Sequence, residues 1–371
     1  MRFLSIYLKR FPKSCGSGFS RNAVAQCFLV LTLLVTCAVI SPSVLRAQEQ
    51  QLENAQIPFL TLRNRTGSSI PERYFGDRRS DLKAGQCEVR SLDLSALGSL
   101  ADSAPGFIRE EFLRVEQVTE VSQDALLEAL VHNLGSQQPV LYVHGFNISF
   151  EKGCRRALLL RENADLNGQL LWFSWPSDGA VTNYTRDESD LYWSVPDLAE
   201  VILSLYGLFG TDQVNVVGHS LGARGVVLAL YEVANRYPDI RLGEIVLLAP
   251  DMDFEIFARI LARIRPIARG ITVYVTEGDR ALALSEQLHG YPRLGEAGND
   301  VSILNGVEVV DLSGLPIWDL TGHLYHIYSP ALGDDLNQLL KKGAAAALRP
   351  NLVSAGANLW MLRAPEEENA E

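Results

Sequence analysis

The stretch Val214-Asn215-Val216-Val217-Gly218-His219-Ser220-Leu221-Gly222 decides how the whole chain is read. Val214–Val217 is a short β-branched run, the kind of strand that is buried on both faces of a parallel sheet. Leu221–Arg236 has the pattern of a helix, so Gly218–Gly222 must turn the chain from strand to helix within a few residues. A serine on so tight a turn is lifted clear of the backbone. Glycines two residues before and two after it allow neighbouring main chain to approach closely. Alone the pattern is weak, and its weight comes from the strand before it and the helix after it.

Working outward, the same alternation continues on both sides. Strands are expected at Pro139–Val143, Leu170–Trp175, Gln213–Val217, Glu244–Leu248 and Ile271–Thr276, with Val307–Leu312 as the last. Helices are expected at about Phe150–Glu162, Asp187–Phe209, Leu221–Arg236 and Phe254–Ile264, and from near Ala331. Ser122 caps an earlier helix whose Leu126, Leu127, Leu130, Val131 and Leu134 share one face. Strands alternating with helices of this length imply a mostly parallel central sheet with helices on both faces. Before it, Cys87–Leu94 and Phe112–Val121 read as strands joining the sheet, with a charged loop around Glu72–Lys83. The expected division is a leader over 1–47, N-terminal strands and loops over 48–121, a catalytic core over 122–341, and a partly disordered extension over 342–371.

A serine hydroxyl is too weakly acidic to attack a carbonyl unaided and needs a base, which in turn needs an acid to orient it. In this order of elements the base follows the nucleophile, on a loop after the last strand. His323 stands there, with His326 and His289 as lesser alternatives. The acid belongs just beyond the strand before that, where Asp279 lies in Glu277-Gly278-Asp279. Asp251 and Asp253, after the preceding strand, are the fallback. An oxyanion needs preorganised N–H donors. Leu221 N–H opens the helix after the serine, and Phe146 N–H lies in the loop His144-Gly145-Phe146-Asn147, where Gly145 frees the backbone to turn inward. His144 reads as a structural hydrogen-bonder supporting that loop, beside Gly145 and Asn147. Trp175 and Tyr184, after the strand at 170–175, are weaker candidates for a substrate pocket, core packing being the competing reading of such rings.

Taken together, six motifs resemble those of bacterial α/β hydrolases of uncharacterised function, of the esterase/lipase-like kind. They are Val143-His144-Gly145-Phe146-Asn147, Phe173-Ser174-Trp175-Pro176-Ser177, Gly218–Gly222, Ala249-Pro250-Asp251-Met252-Asp253, Asp279–Ser285 and Gly322-His323. The resemblance covers about Pro139–Pro330, with a fainter echo at Gly85–Val89. It implies the α/β-hydrolase fold and the roles of Asp279 and His323, but no substrate. The function expected is cleavage of a small-molecule or lipid ester through an acyl-enzyme on Ser220. Acyl transfer by the same triad, and a non-catalytic envelope binding protein of this fold, stand as alternatives.

Composition narrows the partners. Residues 1–47 carry six basic and no acidic side chains, so their removal takes the net charge from −11 to −17. So acidic a body repels nucleic acid. Cys and His are too scattered for a metal site, and no glycine loop cradles phosphate, so neither metal nor cofactor is expected. The basic N-terminus leads into the uncharged run Cys27–Ile40, then Ser41-Pro42-Ser43 and a candidate cleavage point at Ala47-Gln48. This reads as a signal peptide, or as a signal anchor if uncleaved. Either way the body is expected to be exported to the periplasm or cell envelope, touching membrane only through an uncleaved leader. Cys15, Cys27 and Cys37 belong to that leader, leaving Cys87 and Cys154 as either a disulfide or two buried thiols.

Overall fold

In the computed structural model, residues 55–91, 106–317, 319 and 321–364 are described. The leader and the acidic tail lie outside them. Among the described residues eleven strands form one sheet. In chain order they are β1 (Ala55–Arg65), β2 (Phe75–Ser91), β3 (Leu113–Val121), β4 (Val140–Val143), β5 (Leu170–Ser174), β6 (Asn215–His219), β7 (Leu242–Leu248), β8 (Ala268–Val275), β9 (Glu308–Asp311), β10 (Leu352–Ser354) and β11 (Leu359–Leu362). Their spatial order is β10-β11-β9-β8-β7-β6-β4-β5-β1-β2-β3. From β1 through β5, β4, β6, β7, β8 and β9 to β11 every pairing is parallel, and antiparallel strands occur only towards the two edges.

The central strands are apolar throughout because both faces are covered. Val140 and Tyr142 of β4 face one core, and Leu141 and Val143 face the other. The first core includes Tyr142, Trp172 and Val217 with apolar residues of α3 (Phe150–Asn163) and α9 (Pro330–Lys342). The second joins Val143, Phe173 and Val216 to α2 (Gln123–Leu134), α4 (Tyr184–Phe209), α5 (Leu221–Arg236) and α6 (Phe254–Ile264). The helix beginnings follow their capping residues. Ser122 accepts from Ala125 N–H at 3.2 Å and Asp253 from Ile256 N–H at 2.9 Å. The remaining helices are short: α1 (Gly106–Glu111), α7 (Arg280–His289) and α8 (Tyr325–Tyr328).

Two expectations are corrected. The charged stretch 72–83 is not a loop but largely the first half of β2, which pairs antiparallel with β1 through two register shifts. Its charges sit on a strand near the sheet edge, where many side chains reach solvent. Nor is 307–312 the last strand, because β11 pairs parallel to β9, and β10 antiparallel to β11.

Cys87 of β2 and Cys154 of α3 are joined by a disulfide, both fully buried, tying the N-terminal strands to the helix that follows the 144–147 loop.

What the sheet positions is one edge. In the parallel register Val143 lies beside Gly218, His219 beside Leu248, Leu248 beside Tyr274, and Val275 beside Asp311. The loops leaving β4, β6, β7, β8 and β9 therefore all emerge at the carboxyl ends of neighbouring strands, where open α/β sheets bind ligands.

Candidate active site

Ser220 occupies the turn between β6 and α5 with φ 54° and ψ −123°. Residues other than glycine seldom hold a positive φ, and where they do the surroundings must enforce it. Ser220 N–H donates to the Leu248 carbonyl at 2.9 Å, and the Ser220 carbonyl accepts from Asp251 N–H at 3.1 Å. The flanking glycines are demanded by space. A Cβ on Gly222 would lie 2.1 Å from the His144 carbonyl oxygen, and one on Gly218 would lie 2.6 Å from Ala223 Cα.

Asp279 follows β8 and caps α7. Its Oδ1 accepts from Ala281 N–H at 2.9 Å and Leu282 N–H at 3.0 Å, which leaves Oδ2 for His323 Nδ1–H at 2.5 Å. The loop bearing His323 is held by Asp319, whose carboxylate accepts from Thr321 N–H at 2.8 Å and Leu324 N–H at 3.0 Å. Burial alone would pull the His323 pKa down. The charge and hydrogen bond of Asp279, with the charges of Asp251 and Asp319, outweigh it and hold the imidazole above its ordinary value. An imidazole whose Nδ1–H is committed to a carboxylate keeps Nε2 for proton exchange with a hydroxyl. Ser220 Oγ itself takes part in no hydrogen bond among the described residues. The two loops meet instead through His219, whose Nε2–H donates to the His323 carbonyl at 3.1 Å.

The loop after β4 comes equally close. A Cβ on Gly145 would lie 2.9 Å from Ser220 Cβ. Asn147 has φ 60°, and its N–H donates to the Asp187 carboxylate at 3.3 Å. Leu221 N–H opens α5, where no carbonyl within the helix can accept it. His144 donates through Nδ1–H to the Gly145 carbonyl at 2.8 Å and stacks on Trp175 with rings 5.0 Å apart. Burial, reinforced by the charge of Arg63, pushes the His144 pKa down to about 3, so this imidazole is neutral.

Two clamps around the site were not anticipated. Arg63 of β1, fully buried, donates to Ser174 Oγ at 2.9 Å, the Ser177 carbonyl at 2.6 Å and the Ile148 carbonyl at 2.7 Å, pinning the loops after β4 and β5. Its charge inside the run Phe59-Leu60-Thr61-Leu62-Arg63 was the available signal. Asp187, whose pKa burial raises against its hydrogen bonds, accepts from Ser177 Oγ–H and from Asp178 N–H at 3.0 Å.

The alternative residues have partners of their own. Asp251 accepts from Arg293 Nε–H at 3.0 Å, an Arg224 N–H at 3.2 Å, Ser285 Oγ–H at 2.5 Å and the Tyr184 hydroxyl. Burial opposes its charge, but Arg224 and Arg293 hold its pKa below the usual range. Asp253 caps α6. His326 packs on His219 with ring centres 4.0 Å apart, 3.4 Å from the Tyr142 hydroxyl. His289 contacts Ser285 and Glu188. Trp175 is fully buried and donates Nε1–H to the His144 carbonyl at 2.7 Å, so it supports the loop from behind. Tyr184 is half-buried, edge-on to Phe146 at 5.1 Å between ring centres. Among the described residues no group of three or more His, Cys, Asp or Glu is placed to hold a metal ion.

Residues 119–342 match the model of a family described as "Alpha/beta hydrolase of unknown function (DUF900)". No curated protein matches the chain. Similar solved structures include a CIB-like hydrolase from Thermoplasma acidophilum, at 14% identity over 69% of this chain and 92% of that one, with a TM-score of 0.34. The lin2722 gene product of Listeria innocua is similar at 13% identity over 62% and 99%, with a TM-score of 0.36. An esterase from Pyrobaculum calidifontis is similar at 13% over 56% and 76%, with a TM-score of 0.32.

Proposed function

The chain belongs to the α/β hydrolases of unknown function, and we propose that it is a serine hydrolase cleaving carboxylic esters through an acyl-enzyme on Ser220. The observation that carries this reading is the buried Asp279–His323 pair, on loops emerging beside the strained turn of Ser220. In the reaction proposed, Ser220 Oγ attacks the ester carbonyl carbon while His323 Nε2 takes the hydroxyl proton. The oxyanion is met by Phe146 N–H and Leu221 N–H. The C–O bond to the alcohol breaks as His323 returns the proton to the departing oxygen. Water then attacks the acyl-serine, giving its proton to His323, and the carboxylic acid leaves as Ser220 regains its hydrogen. Asp279 stays ionised throughout and holds the imidazole in one tautomer.

A non-catalytic binding role has one observation in its favour, the lack of a hydrogen bond from Ser220 Oγ among the described residues. Resting hydrolases often close that contact only with substrate bound. Turnover of short p-nitrophenyl esters separates the two readings. The hydrolase should cleave them, and Ser220→Ala should lower kcat by at least about 10³-fold at unchanged stability. Equal rates in the two proteins, or none in either, would leave the binding role.

The body is proposed to be exported, through a leader that lies outside the described residues. The Cys87–Cys154 disulfide supports an oxidising compartment. Among the described residues no helix is long and apolar enough to cross a membrane. The substrate class proposed is a small-molecule or lipid ester.

A further inference from the structure

We propose that His219 is a positioning residue, an imidazole strut that fixes the base loop to both the serine turn and the oxyanion loop. The inference rests on the serine-hydrolase reading for its catalytic meaning and on geometry for its structural one. His219 is the last residue of β6 and is covalently next to Ser220. Its side chain is buried, 5% exposed. Nε2–H donates to the main-chain carbonyl of His323 at 3.1 Å, and the two rings stand 4.6 Å apart. On its other flank, Nδ1 lies where a Cβ on Gly145 would come within 3.0 Å. One ring thus touches the loop of the base, backs the glycine of the oxyanion loop and adjoins the nucleophile.

The chemistry of the contact fixes which nitrogen carries hydrogen. A carbonyl only accepts, so Nε2 must be the donor. Burial, then the neighbouring imidazoles of His326 and His323, disfavour a charge on the ring, so it acts as a neutral strut. A neutral donor suits this place, because a second cation would oppose protonation of His323 during turnover. The contact also matters because of where it falls. It grips the backbone of residue 323 itself, whereas Asp279 grips the side chain. Together they set both ends of the same residue. Small displacements of a base are costly, since a shift of about 1 Å can lower the rate about 100-fold.

The test pairs His219→Phe, which fills the space without a donor, with His219→Gln, whose amide can return an N–H to the carbonyl. Two readouts are taken on the whole protein: kcat and KM for a p-nitrophenyl ester, and hydrogen exchange across residues 321–329. The strut predicts that His219→Phe lowers kcat about 10- to 100-fold with KM within about threefold, and that exchange in 321–329 quickens. His219→Gln should recover most of both. Unchanged exchange and kcat in His219→Phe would overturn the proposal, as would equal losses in both variants, which would mean packing rather than the hydrogen bond. If even the wild type cleaves no ester, the hydrolase reading falls, and the exchange measurement still decides whether the strut exists.

Discussion

Two buried carboxylates sit at the same edge of the sheet, one strand apart, and they have opposite fates. Asp251, after β7, is surrounded by cations and hydroxyls: Arg224, Arg293, Ser285 and Tyr184 all donate to its side chain. Asp279, after β8, accepts from two N–H groups of the helix it caps and from one imidazole. The first carboxylate is neutralised by arginines, and each of its oxygens already accepts from an arginine or a hydroxyl. The second keeps one oxygen for a single mobile-proton partner. A carboxylate held by arginines cements a structure, and one that faces a histidine can tune it. Position relative to the strands made both eligible as the acid, and the company each keeps separates them.

The largest expected effect comes from Asp279→Asn. Asparagine still caps α7, but it no longer stabilises an imidazolium and can favour the wrong tautomer, so kcat/KM should fall by about 10³- to 10⁴-fold with little change in melting temperature. A loss of less than tenfold in ester kinetics would erase the distinction between the two carboxylates. Asp251→Asn should do the reverse. It leaves Arg224 and Arg293 buried with less countercharge, so denaturant titration should show a loss of about 3 kcal/mol, while each folded molecule keeps activity within about tenfold.

The subtlest effect is on pH. The base must be neutral to act, and Asp279 holds the His323 pKa above its ordinary value. The acid limb of kcat/KM should therefore lie above about pH 6.5, and in any residual activity of Asp279→Asn it should move to lower pH. The same shift has a sign for stability. A raised folded-state pKa contributes stability that is complete below the unfolded value and is lost as pH rises through the folded one. A wild-type limb below that of Asp279→Asn would mean that burial, rather than the carboxylate, governs this histidine.

The central fold was legible because its strands are buried on both faces and so read as unbroken apolar runs such as Val214–Val217. The helix after Ser122 was legible for a local reason too, since a cap is written into adjacent residues. At the sheet edges that logic weakens. β2 carries Asp77, Arg78, Arg79, Asp81 and Lys83 near the edge, and its charge hid its strand. β10 and β11 are three and four residues long, too short to show a period.

The site divided along a similar line. Ser220, Asp279 and His323 stood out as candidates by their order along the chain and their place after strands. Arg63 did not, because its importance comes from contacts with the end of β5 and the loops after β4 and β5, 85 to 114 residues away along the chain. The contact of Trp175 was hidden for the same reason. It stands at the sheet edge, yet its indole turns inward to the His144 carbonyl, a contact that no local pattern encodes.

Ser220 as an activated nucleophile is the central proposal, and a fluorophosphonate mapped by peptide mass spectrometry tests it most directly. Wild-type protein should carry one adduct, on the peptide containing Ser220. Asp279→Asn and His323→Ala should be labelled at least about 100-fold more slowly, and Ser220→Ala not at all. A folded wild-type protein that takes up no probe, or that is labelled elsewhere at an undiminished rate when Ser220 is replaced, would contradict it.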